Sequence, residues 1–412
     1  MSLKKIKPYD IYIFLVMFTF FIPHSITLMS TYSNIWIGIY NVTAIIRCGI
    51  ALSYIGLFII NRVKSNVLVK CIVLYELSIF VACCINRSIT FQFTITNCLT
   101  YIGLACLLQF EDIKKKEKLL DGLIFFFGFF AIMGALSIIF FPNGFNDAVM
   151  KKDAIYFLGS KNNGFFYFTM YIYLSVLKNY WTGKGISLYH IWITAVFVIC
   201  TLLTNSMTGF ITIFLSLGYL LLTKYRVFIR KAFTPKFALL MITVAAALIP
   251  FVASGKFDWA FNLIGRESNF SMRTFIWASA INLIQQNPLW GNGKDGDIIL
   301  YGGQTQAHNI YIDYATKYGL ITLVIFIIML IIIAVKMSKN SKKDLVYINA
   351  FFFFILFFHS LFDSVTMSFI TLLLFYNQND PAIDYIKTKR RRTLFNFKKT
   401  SIDSYSQIGR DN

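Results

Sequence analysis

The sequence predicts an all-α polytopic membrane protein with about 12 transmembrane helices, and three observations carry that expectation. Hydrophobic residues make up 57% of the 412-residue chain and charged residues only 14%, against roughly 45–50% and about 25% in a soluble globular domain. The apolar residues gather in blocks close to the ~20 residues that cross a hydrocarbon core, and the mean hydropathy is +0.64. Positive charge is distributed as a membrane topology requires. With the N-terminus inside, the inner segments hold 29 of the 39 Lys and Arg. The opposite orientation breaks the positive-inside pattern at nearly every short loop.

Spans are expected at 11–29, 35–60, 67–85, 89–110, 119–141, 163–179, 187–204, 208–223, 237–253, 310–335, 345–359 and 362–377. The first follows a basic start, MSLKKIK, with no small-residue cleavage site after it, and reads as an uncleaved span. The turns Asn205–Gly209 and His359–Asp363 are short enough to make antiparallel hairpins of their flanking helices. The last two spans share only the stretch 345–377, and merging them would export the basic tail. The chain therefore reads as one integral-membrane domain with both termini cytoplasmic. A long extracytoplasmic loop, 254–309, separates spans nine and ten, and a basic tail, 378–412, faces anionic lipid headgroups.

This topology accounts for the net charge of +20, so membrane lipids, and no nucleic acid, are the expected partners. The seven cysteines lie in apolar stretches or at their ends, with no CxxC and no His pair at ligand spacing. Neither a disulfide framework nor a zinc site is expected. Asp295 and Asp297 stand close together, but Glu267 is the only other acid nearby before Asp313, so neither a metal nor a cofactor is expected.

The long loop has its own organisation. NFSMRTFIWASAINLIQQNP reads as a helix capped by Asn269 or Ser271 and ended by Pro288. Ile276, Trp277, Ala280 and Ile284 follow the 3.6-residue period, so the helix lies on the membrane surface or packs on the bundle. Two glycine-rich turns follow, LWGNGKDGD and LYGGQTQ, and then HNIYIDYATKYG runs into an apolar helix.

Polar groups inside spans are costly and are functional candidates by default. Arg47 and Glu76 lie at similar depth in the second and third spans, where a buried ion pair is the favoured reading over a substrate role. His24 and His190 sit near span ends and read as interfacial or core residues. In the loop, Arg273 would stand in the first turn of a helix, where free N–H groups and the dipole already favour an anion. A guanidinium there suits a bidentate grip on a diphosphate, and spacing alone fits a surface arginine equally well. Arg266 is two turns earlier, although Gly265 and Ser268 argue against one continuous helix. His308 precedes the tenth span; a neutral imidazole there can take a proton from a hydroxyl, and a histidine at a membrane boundary is more often a polar anchor. Lys161 in GSKNNG and Lys294 in GNGKDGD are cations near glycine turns that suit phosphate.

An arginine, a tryptophan on a helix, NPLWGNG, and then HNIYIDYATKYG entering an apolar helix resemble the O-antigen ligase/polymerase superfamily. GSKNNGFFY at 159–167, TNSMTGF at 204–210 and HSLFDS at 359–364 extend the resemblance. It implies a GT-C-like, metal-independent inverting glycosyltransferase acting on polyprenyl-diphosphate-linked oligosaccharide at the outer face of the bacterial cytoplasmic membrane. By the same resemblance Arg273 holds the carrier diphosphate, and His308 orients or deprotonates the acceptor hydroxyl. Asn309, Pro288, Gly291 and Gly293 match the structural signature, with Asn309 beside the substrate. Many members have Ser-Arg where this chain has Ser206-Met207, so Arg266, Lys161 or Arg47 is expected to replace a second arginine. A repeat-unit polymerase of capsule or exopolysaccharide type leads, with a chain-length regulator and a repeat-unit flippase as partners; a ligase delivering the finished glycan to lipid A core is the alternative. A transporter would predict inverted repeats and broken helices, which the sequence does not clearly show.

Overall fold

The computed structural model describes residues 7–30, 34–90, 93–145, 154–225, 231–253, 273–294, 298–339, 343–363 and 365–378. Arg266, Glu267, the cap candidates Asn269 and Ser271, the pair Asp295 and Asp297, and the tail from 379 lie outside them. The described chain is nearly all helical. Its helices are α1 (Pro8–Phe20), α2 (His24–Ser30), α3 (Asn34–Ile60), α4 (Val67–Ile85), α5 (Thr100–Phe140), α6 (Gly164–Trp181), α7 (Leu188–Leu203), α8 (Met207–Tyr225), α9 (Pro235–Ala253), α10 (Arg273–Gln286), α11 (Ile310–Ser338), α12 (Lys343–His359) and α13 (Met367–Gln378). Among the described residues, five helices are long and apolar enough to cross a membrane unaided, and five shorter ones are apolar. This is the architecture of a polytopic membrane protein.

The centre of the bundle is α6, buried on every face from Gly164 to Leu177 and packed against α5, α7, α8, α12 and α13. A helix enclosed on all sides can carry more tyrosine than a lipid-facing one, provided its hydroxyls find partners. The Tyr173 hydroxyl lies 3.1 and 3.0 Å from Oδ1 of Asn349 and Asn377, on α12 and α13. Helices α12 and α13 are separate, as the sequence predicts for 345–377.

Two helices differ from expectation. The first expected span, 11–29, is interrupted between Phe20 and His24, because Pro23 removes an amide donor and disfavours helix at Ile22 before it. The break frees carbonyls that lipid cannot satisfy. Tyr167 of α6 donates to Phe21 O at 2.7 Å. The expected loop at 111–118 is instead helical, and α5 runs through it with a kink at Lys115 (φ −145°, ψ 47°).

The Arg47–Glu76 ion pair is also overturned. Arg47 Nε and both Glu76 carboxyl oxygens are buried with no hydrogen-bond partner among the described residues. Equal depth is not enough: α3 packs chiefly on α5, and α4 chiefly on α11. His190 has the structural role expected of it. Its Nδ1 accepts from Ser187 N at 3.1 Å and closes a cap on α7.

Candidate functional site

The loop helix predicted from NFSMRTFIWASAINLIQQNP is α10. Its apolar face buries Ile276, Trp277 and Ala280 against α9 and α11, so it packs on the bundle. After it, Leu289 to Gly293 meets α11 backbone to backbone. Helix α11 is interrupted at Gly319 (φ 80°, ψ 173°), which leaves the Thr316 and Lys317 carbonyls without their helical donors. The NPLWGNG turn supplies replacements: Asn292 N donates to Thr316 O at 3.0 Å and Gly293 N to Lys317 O at 3.0 Å. In return, Leu320 N donates to Pro288 O at 2.8 Å. The approach leaves no room for side chains. A Cβ on Gly291 would lie 2.4 Å from Lys317 O, and one on Gly319 would lie 2.1 Å from Leu289 O; both residues also need positive φ.

That junction fixes the start of α11 and the residue before it. Asn309 is the N-cap, its Oδ1 accepting from Tyr311 N and Ile312 N, while its Nδ2 donates to Leu361 O at 2.8 Å. Ile310 N donates to Ser360 O at 2.9 Å. On the other side, Trp277 Nε1 donates to Ala307 O at 2.8 Å, and Ala307 N donates to Asp313 Oδ1 at 2.9 Å. Asp313 is itself paired with Lys317 one turn on. His308 is therefore clamped on both sides, in the left-handed region at φ 50°. A non-glycine residue holds that conformation only where its surroundings impose it.

The clamp turns His308 Nδ1 to 3.5 Å from Asp363 Oδ1, at the outer limit of hydrogen-bond range. The His308 side chain is 34% exposed and Asp363 15%, so the imidazole is accessible and the carboxylate stands behind it. Burial pushes the Asp363 carboxyl up, but the hydrogen bond from His308 and the influence of His359 and Arg273 outweigh it and hold the group below its ordinary value. An ionised Asp363 favours the tautomer with the proton on Nδ1, leaving His308 Nε2 as an acceptor.

Arg273, at the start of α10, lies within electrostatic range of both Asp363 and His359. Burial draws its guanidinium below the usual arginine value, and Asp363 opposes that shift; it stays cationic. His359 closes the site on the bundle side. Its ring stacks on Phe165 of α6 with centroids 3.7 Å apart, and Nδ1 lies 3.4 Å from Thr212 Oγ1 of α8.

The structure thus brings together Arg273, His308 and Asn309 from the sequence-predicted set and adds Asp363 and His359. Of the other predicted cations, Lys294, Lys161 and Arg47 have other surroundings. Lys294 Nζ reaches Thr90 Oγ1 at 3.4 Å and the Phe93 ring at 5.9 Å. Lys161 is exposed in the turn where Asn162 Oδ1 accepts from Ser206 Oγ at 2.7 Å. Arg47 lines a cavity shared with His24, and His24 is within electrostatic range of Asp363. Arg266 lies outside the described residues.

Residues 191–327 match the family model described as O-antigen ligase. The match covers less than half of the chain and supports its likeness to the O-antigen ligase/polymerase superfamily. It takes in most of α7, all of α8, α9 and α10 and most of α11, and with them Arg273, His308 and Asn309; Asp363 and His359 lie beyond it. No curated protein and no solved structure matches the chain. Members of that family are glycosyltransferase-like ligases and polymerases.

Proposed function

We propose that this protein is a polymerase of lipid-linked oligosaccharide repeat units at the outer face of the bacterial cytoplasmic membrane. The observation that carries the proposal is the juxtaposition of His308, Asp363 and Arg273 within a chain that matches the O-antigen ligase family. The growing glycan is transferred from polyprenyl diphosphate to a hydroxyl at the non-reducing end of the next repeat unit. The acceptor oxygen attacks the anomeric carbon from the face opposite the leaving group, and the bond from that carbon to the diphosphate oxygen breaks. The acceptor proton passes to His308 Nε2, held in the productive tautomer by Asp363. The diphosphate leaves on its carrier with its charge met by Arg273, so it needs neutralisation rather than protonation.

A ligase that moves the finished glycan to lipid A core or another surface acceptor is the second reading, favoured by the description of the matching family. The same three side chains serve both reactions. The resemblance of HNIYIDY and HSLFDS to capsule and exopolysaccharide polymerases supports the first. Purified protein supplied with lipid-linked repeat units separates them. A polymerase yields a ladder of products with carrier diphosphate released at each step. A ligase yields a ladder of none and a single transfer when lipid A core is added; no transfer in either assay would overturn both readings.

A further inference from the structure

The segment that leads to His308 has an inward and an outward face. From Ile298 to Tyr301 burial alternates residue by residue, the period of extended chain. Ile298 and Leu300 are buried with Ile276, Trp277 and Ala280 of α10, so Ile299 and Tyr301 point away from that core. The chain then turns at Gly302 and Gly303, both at positive φ. Gly303 N donates to Leu300 O at 3.0 Å and Leu300 N to Gln304 O at 2.7 Å, which closes the turn. A Cβ at either glycine would meet nothing within 4 Å, so no neighbour crowds it.

The outward face carries an aromatic pair. The Tyr301 ring stacks on Phe275 of α10, with centroids 5.1 Å apart and planes inclined by 28°. Phe275 is nevertheless 45% exposed and Tyr301 47%, and large rings left open on a base fixed by its own core mark an interaction surface. Tyr301 to Gln306 are all exposed, so Gln304, Thr305 and Gln306 set amide and hydroxyl groups beside the rings. Charge then decides the ligand's chemistry. Residues 298–307 include no Lys, Arg, Asp or Glu. An anchor in the lipid headgroup region pairs its aromatics with basic residues, and a phosphate needs a cation. A neutral sugar needs neither. The C–H bonds on one face of its ring lie against the negative face of an aromatic, and the hydroxyls at its edge exchange hydrogen bonds with amides and hydroxyls.

We propose that Phe275, Tyr301 and the Gln304–Gln306 run form a glycan-binding platform, which holds neutral sugar residues of the growing chain just outside the reaction centre. The platform is continuous with the site: Phe275 follows Arg273 by two positions, Gln306 precedes His308 by two, and Trp277 Nε1 binds the Ala307 carbonyl. The inference rests on the proposed function, because it is that reaction which brings a glycan to His308. A chain held on the platform after one transfer stays at a high effective concentration for the next. Chain length should therefore depend on the platform, whereas the bond-making step should not.

The test uses the full-length protein in nanodiscs, lipid-linked repeat units as substrate and, as binding probe, a repeat-unit oligosaccharide of the host polysaccharide freed of carrier and diphosphate. The wild type should bind the probe and make long chains. Tyr301→Ala and Phe275→Ala should each weaken probe binding by roughly tenfold, as loss of one stacking contact does. Both should shift the products to shorter chains with the rate of the first transfer unchanged. Tyr301→Phe keeps the ring and should bind and elongate like the wild type. Tyr301→Ala changes only the exposed turn, so the inference stays testable if Phe275→Ala does not fold. Failure of the wild type to bind the probe would overturn it, as would labelling of Phe275 or Tyr301 by a diazirine phospholipid, which assigns the pair to the membrane surface. If the wild type polymerises and the alanine variants bind and elongate like it, the platform falls and the proposed function stands. If the probe binds through Tyr301 but no glycan is made, the proposed function falls and the platform stands.

Discussion

At the scale of single residues, the proposed function makes His308 the base and Asp363 the group that aims it, 3.5 Å from its Nδ1. Asp363→Asn keeps the shape and removes the charge, so His308 loses its tautomer preference. Turnover should fall by about 10²-fold or more, the range of general-base contributions, with little loss of folded protein. Asp363 also gives a prediction against pH. Its folded pKa is held below the ordinary 3.8, so its stabilising charge is complete above the unfolded pKa and disappears only as pH falls through the lower, folded one. The difference in thermal midpoint between wild type and Asp363→Asn should stay constant from pH 8 to pH 5 and shrink only below about pH 4. A difference that closes between pH 7 and pH 5 would assign the pairing to the wrong group. Arg273→Lys should retain part of the activity that Arg273→Ala loses, because the ammonium keeps the charge but not the two-pronged grip.

At the scale of elements, the loop that carries His308 is built on a helix that has been opened. The interruption of α11 at Gly319 frees carbonyls, and the turn after α10 binds them, so the two elements hold one another. Gly319→Ala should break this junction. The new methyl would meet Leu289 O at 2.1 Å with φ at 80°, a combination expected to cost about 2–4 kcal/mol. Gly38→Ala, in open space on α3, should not lower the thermal midpoint, since alanine favours a helix over glycine by about 0.5–1 kcal/mol. Trp277→Phe is subtler. It retains most of the burial but orphans Ala307 O, a loss of about 1–3 kcal/mol, and should lower turnover more than it lowers the midpoint by releasing the residue before His308. Much of this scale was legible in the sequence. The period of Ile276, Trp277 and Ala280 marked α10, and NPLWGNG marked a tight turn. Asp363 and His359 were not legible as site residues, although HSLFDS was visible as a motif. Asp363 is 55 positions from His308 in the chain, and only the α12–α13 hairpin brings them together.

At the scale of the whole molecule, composition and block length were sufficient for the fold class and insufficient for its interruptions. Hydropathy averages over a window, so it reads 11–29 as one span although Pro23 divides it. The same averaging assigns equal depth to Arg47 and Glu76 without saying which neighbours they face. The charge distribution makes a topology prediction that stands apart from helix packing: a reporter fused near residue 295 should read outside, and one near residue 400 inside. Both on one side would require an odd change in the number of crossings between them.

In the proposed function His308, oriented by Asp363 and with Arg273 in electrostatic range of that carboxylate, takes the acceptor proton in a glycosyl transfer. That role is tested most directly by turnover of lipid-linked repeat units with purified wild-type protein and His308→Ala, each shown to be folded by its thermal midpoint. The expected result is a loss of about 10²-fold or more in chain elongation with the midpoint unchanged; elongation at the wild-type rate by His308→Ala would contradict the account.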